Sequence, residues 1–182
     1  MTASAADEFA QPVPRWRRIL RGFREFADPH GNPAEAIYGT LLAGVVLATK
    51  AHKGVTGASI FWSAVGALVL YWIAHVYSDV IGEQIQVHRR PTRGEIGHIC
   101  LENWSRLRAS LIPVIFFEIM RLARGSLNAS VLSALWLTVG LLAAWGATGS
   151  YRSGVRGVAL VVESVVAGGL GVLVVLLKIV LH

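Results

Sequence analysis

Uncharged runs divide this chain more sharply than average hydropathy does. Residues 36–49 carry no charge between Glu35 and Lys50, and residues 54–78 carry none apart from the titratable His75. A third run, 109–117, resumes past Glu118 to about Leu122, a fourth covers 125–151, and a fifth, 157–177, is broken only by Glu163. A helix needs about 20 mostly apolar residues to cross the hydrocarbon core. The runs therefore predict spans at 34–51, 57–80, 106–123, 130–149 and 157–179. Backbone groups in lipid need internal partners, so spans are helices or closed barrels. Runs of this length do not alternate with period two, which excludes the barrel. The expectation is an all-α, polytopic membrane bundle of five helices occupying 34–180.

Two further stretches have helical periodicity without being spans. Residues 15–27 set Trp16, Ile19, Leu20, Phe23 and Phe26 on one face and Arg15, Arg17, Arg18, Arg21 and Arg24 on the other. That pattern predicts an amphipathic helix over 15–28 lying on anionic lipid, ended by the breakers Asp28-Pro29-His30-Gly31-Asn32-Pro33. Ahead of it, residues 1–14 lack the apolar core of a signal peptide and are expected to be disordered. Between spans two and three, Thr92 and Glu95 have capping-box spacing. Ile96, Ile99, Cys100, Trp104, Leu107 and Leu111 then recur every three to four residues. This predicts a cytoplasmic helical loop at 82–106 that can run on into span three.

Composition agrees with the membrane class. Hydrophobic residues make up 54% and charged residues 15% of 182, where a soluble domain carries about 25% charged residues. A soluble enzyme and a disulfide scaffold are excluded, and the single Cys100 has no partner within the chain. With five spans, 12 of the 17 lysines and arginines fall on the side of the membrane that holds the N-terminus and 5 on the other. The positive-inside rule then puts the N-terminus in the cytoplasm and the C-terminus outside. The net charge of +6 belongs to arginines lying between spans, so no nucleic-acid partner is expected. The predicted location is the cell membrane, crossed several times.

Ionisable groups inside spans carry the functional signal, because each is costly in lipid unless paired or hydrated. Glu35 and Tyr38 open span one, and Tyr71, His75 and Asp79 form an i, i+4, i+8 stripe near the end of span two. Glu163 lies about 9 Å into span five from the same side, at 1.5 Å per residue. Carboxylate, imidazole and phenol at one level suit a divalent cation or a proton relay. The expected site is Glu35, His75, Asp79 and Glu163, with Tyr38 and Tyr71; a network of purely structural polar contacts is the competing expectation. Glu118 and Arg121, three apart, are expected to neutralise each other. Glu95, His98 and Glu102 share a face that a solvated helix explains as well as a metal does. No P-loop, HExxH, CxxC pair, GxGxxG or GxSxG occurs, so neither a nucleotide, a haem nor an enzymatic activity is expected. Small residues four apart, such as Gly39/Ala43, Gly44/Ala48 and Ala167/Gly171, predict close helix approach, and the run around Gly168 predicts a homodimer face.

Leu111-Ile112-Pro113 at the opening of span three and the turn Tyr151-Arg152-Ser153-Gly154-Val155-Arg156-Gly157 resemble the vacuolar iron transporter-like family. The resemblance implies five spans, N-inside topology, a basic N-terminal helix, a cytoplasmic helical insertion and a dimer. The family's metal motifs in spans one and two are missing: Tyr38-Gly39-Thr40 and Trp72-Ile73-Ala74-His75-Val76-Tyr77-Ser78 stand there. The chain is also similar to small bacterial integral membrane proteins. Two functions follow as expectations. The first is a cation or proton-coupled transporter with a polar site in the cytoplasmic half. The second is a membrane scaffold that transports nothing.

Overall fold

The computed structural model describes residues 33–52, 54–124 and 126–181, and the expected disordered stretch 1–14 and surface helix 15–28 lie outside them. Every regular element among the described residues is a helix: α1 Pro33–Lys50, α2 Gly57–Val87, α3 Arg93–Arg124, α4 Leu127–Arg152 and α5 Val158–Leu181. Three of them, α2, α4 and α5, are long and apolar enough to cross a membrane. The short turns between successive helices lay the chain back and forth as a bundle.

Helix α1 touches all four others, which explains why it is one of the less apolar helices. Its buried positions are Ala36, Gly39, Thr40, Ala43, Gly44, Leu47 and Ala48. Small side chains let neighbouring backbones close in from several directions. A helix wrapped by protein needs little of the bulky apolar surface that lipid demands. The outer helices show the complement: Trp62, Leu70, Ile73 and Tyr77 on α2 and Val161, Val165, Val166 and Leu173 on α5 are exposed. Apolar faces this extensive suit hydrocarbon rather than water. The core between the helices is filled by Leu47, Ile60, Leu68, Val114, Phe117, Val131 and Leu135. Arg121 on α3 pairs with Glu118 at 2.9 and 2.5 Å, as their spacing predicts.

Local chemistry sets the helix ends. Thr56 caps α2 by accepting from the Ser59 amide at 3.3 Å, and His88 ends it in a left-handed conformation, φ 55°. Arg89 then reaches across the turn to Glu95 with bonds of 2.5 and 3.0 Å. Thr92 and Glu95 close a capping box: the Thr92 amide donates to Glu95 at 2.6 Å and the Glu95 amide to Thr92 at 3.4 Å. The Arg89 guanidinium, with Thr92, holds the Glu95 carboxyl down at about 2. Helix α2 continues through 82–87, past the predicted end of span two, and from this cap α3 runs unbroken through the rest of the predicted 82–106 loop into the third predicted span, with Pro113 inside it.

Helices α4 and α5 form the most extensive pair. A Cβ on Gly171 would come within 2.7 Å of the Val139 backbone, so only glycine permits this crossing. Ala167, Gly168 and Gly171 are all buried, Gly171 against Val139 and Gly168 against Ala143 of α4. The small-residue face that the sequence offers to a partner copy is taken up inside the chain. The pattern announces a close backbone without saying whose backbone it is.

Candidate functional site

The stripe on α2 turns toward α1 and α3. Gly39 makes this possible on the α1 side, where a Cβ would sit 1.8 Å from Ser110 Oγ and 3.7 Å from the Tyr71 ring. With glycine there, α1 and α3 approach closely enough to enclose polar groups from all three helices. Glu35, Tyr71, Trp72, His75, Asn103 and Leu107 line a cavity of about 10 Å³, room for about one water. The His75 ring lies 4.1 Å from that of Tyr71, and its Nδ1 is 3.1 Å from the Tyr71 carbonyl. A carbonyl only accepts, so Nδ1 is the donor in this contact. The Trp72 Nε1 proton is buried and meets no acceptor among the described residues, and the Trp72 ring stands edge-on to Trp104 at 6.2 Å.

Asp79 joins this junction through Asn103. Asn103 is 3% exposed; its side-chain amide nitrogen donates to Asp79 at 2.8 Å and to the Ile99 carbonyl at 3.0 Å. Asn103 thus ties α2 to α3 beside His75. The structure brings Glu35, Tyr71 and His75 to one cavity and holds Asp79 next to them.

It sets Glu163 and Tyr38 elsewhere. Tyr38 is 66% exposed. Glu163 lines a separate open groove of about 510 Å³ with Pro33, Ala34, Ile37, Trp145, Ser150 and Arg152 among its walls, and its carboxylate takes a hydrogen bond from Ser150 Oγ. The two places share the first turn of α1, but Glu35 serves one face and Ala34 and Ile37 the other. Ala36, on a further face, is packed with Ala109, Ile112 and Trp145 in an apolar cluster. Among the described residues no three His, Cys, Asp or Glu side chains gather so as to hold a metal ion. Glu95 is engaged by Arg89 and Thr92, and His98 and Glu102 are exposed.

Two residues of these sites, Asn103 and Ser150, escape sequence reasoning, as does Lys178 outside them. The signal for Asn103 is its place four residues after Ile99, a polar group on the apolar face of α3. Ser150 has no signal apart from its partner. Lys178 is the lone cation of a long apolar helix. No family model, curated protein or solved structure matches the chain.

Proposed function

We propose that the chain is a multi-pass membrane protein whose α1–α2–α3 junction passes protons across the cytoplasmic half of the bundle. The observation that carries this reading is the cavity shared by Glu35 and His75, with Asp79 fixed one helical turn from His75. With Nδ1–H held by the Tyr71 carbonyl, Nε2 is the nitrogen left to exchange a proton with the cavity. One water in the cavity relays it to the Glu35 carboxylate. A small relay fits the one-water cavity better than a divalent cation does, since a cation asks for three or more ligands together. The test is proton flux into liposomes under a pH gradient. Wild type should conduct and His75→Ala should not; wild-type liposomes as tight as empty ones would end the reading.

The scaffold reading is favoured by a different observation. Asp79 with Asn103, Glu163 with Ser150 and Glu118 with Arg121 are each satisfied locally. It expects no flux, and loss of stability whenever one of these pairs is cut. Five spans, N-inside orientation and a homodimer belong to the proposal on the strength of the charge asymmetry and the likeness to the vacuolar iron transporter-like family; iron as cargo does not. Since Gly168 and Gly171 are covered by α4, a dimer would meet through another face, such as the exposed valines of α5.

A further inference from the structure

Lys178 lies on the last turn of α5, at the end of the bundle away from His75. Lysines near helix ends normally extend toward water, yet this one is 8% exposed. Its Nζ turns inward and donates to the Ala51 carbonyl at 3.0 Å, just beyond the C-terminus of α1. The ammonium therefore sits at the negative end of the α1 dipole. It also lines a groove of about 690 Å³ with His52, Val55, Leu127, Asn128 and Leu181 among its walls.

Three features give the groove a chemistry. Lys178 supplies a fixed positive charge at its wall. Leu127 and Asn128 belong to the first turn of α4, whose N-cap Ser126 makes no side-chain capping bond, so the positive end of that helix dipole meets the same space. Val55, Leu127 and Leu181 add aliphatic surface. The volume falls in the range of sites for ligands of several hundred daltons and far exceeds a bare phosphate. The groove opens where α4 begins and α5 ends, two helices long and apolar enough to cross a membrane. That is the level of lipid headgroups.

We propose that this groove holds the headgroup phosphate of an anionic membrane lipid, with Lys178 and the α4 N-terminus on the phosphate and Val55, Leu127 and Leu181 along the upper acyl chains. The proposal rests on the membrane reading but not on proton transfer. The test uses the full chain purified in detergent, with phosphatidylglycerol, phosphatidylcholine or inorganic phosphate added and lipid retention read by native mass spectrometry. Phosphatidylglycerol should be retained about fivefold or more over phosphatidylcholine, the discrimination expected of a single lysine charge. Lys178→Gln should abolish the preference. Because that change also uncaps α1, Leu181→Glu serves as the second variant: it places a carboxylate at the exposed rim, leaves Lys178 intact, and should remove the preference without altering thermal unfolding in the absence of lipid. Equal retention of both lipids, or an unchanged preference in Leu181→Glu, would overturn the proposal. Inorganic phosphate that displaces phosphatidylglycerol at equal concentration would show a free-anion site and overturn the lipid assignment. A chain that stays monodisperse with no detergent would instead fail the membrane reading itself.

Discussion

The two polar junctions that meet the first turn of α1 are built in opposite ways. On the α2–α3 side, the Glu35–His75 cavity has room for about one water and is closed by a buried asparagine. On the α4–α5 side, Glu163 lies exposed in an open groove of about 510 Å³, and its hydrogen bond comes from Ser150, its neighbour across the α4–α5 turn. Helical rise sets the level of a side chain at 1.5 Å per residue, and both junctions lie at a similar level. Whether two groups meet depends on azimuth, which changes by about 100° per residue and is decided by packing. The comparison teaches that equal depth in a bundle does not make one site.

The sharpest way to break the contrast is flux. His75→Ala should lower proton flux in liposomes about tenfold or more, while Glu163→Gln should leave it within about twofold of wild type. Equal loss in both variants would rejoin the two junctions into one site. Next in size is the glycine contrast. Gly39→Leu drives a side chain into Ser110 and should cost about 3 kcal/mol, read as a lower unfolding temperature in detergent. Gly149→Ala, whose Cβ would meet Pro33 at an ordinary 3.5 Å, should cost less than about 1 kcal/mol. A closed and an open junction should also differ in their hydrogen bonds. Asn103→Leu strips the Asp79 carboxylate of a buried donor and should cost about 1–3 kcal/mol; Ser150→Ala, beside the exposed Glu163, should cost less than about 1 kcal/mol. A larger loss in Ser150→Ala would reverse the comparison.

The smallest effect concerns the turn that brings α3 to the closed junction. The Glu95 carboxyl titrates at about 2 in the folded chain against about 4.3 when unfolded. A depressed value means the ionised form favours folding, so its contribution is complete above about 4.3 and is lost as pH falls toward 2. Amide exchange at Thr92 and Glu95 should be flat from pH 7 to 5 after correction for intrinsic rates, and rise relative to the rest of α3 below about pH 4. Glu95→Gln should show the raised exchange throughout.

Much of the fold is legible because charge punctuates it. Each predicted stretch from 34–51 to 157–179 falls on one helix, and Thr92 with Glu95 marks where α3 begins. The central place of α1 is legible only in hindsight, as the physical meaning of its Ala and Gly content. The candidate site was legible in depth and not in direction: Tyr71, His75 and Asp79 share a face by spacing alone, whereas Glu163 shares their level but lies across α1. Asn103 and Lys178 carry their meaning through partners 24 and 127 residues away in sequence, and no local pattern encodes such a distance.

A glycine in the left-handed region shapes the turn after α4. Gly154, at φ 85°, lets the Val155 amide bond the Ser150 carbonyl at 3.0 Å and its own amide bond Tyr151 at 3.2 Å, a Schellman end. Arg156 stacks 3.8 Å over the Tyr151 ring. Beyond the turn, Ser164 bonds the Ala143 carbonyl at 2.9 Å and Gly171 meets Val139. The Val155–Ser150, Arg156–Tyr151, Ser164–Ala143 and Gly171–Val139 contacts each join α4 to α5 or its approach, so the peptide bond between Gly154 and Val155 is redundant for their pairing. Fragments 1–154 and 155–182, made as separate chains in one cell, should find each other and copurify, and the severed protein should behave as the whole one does.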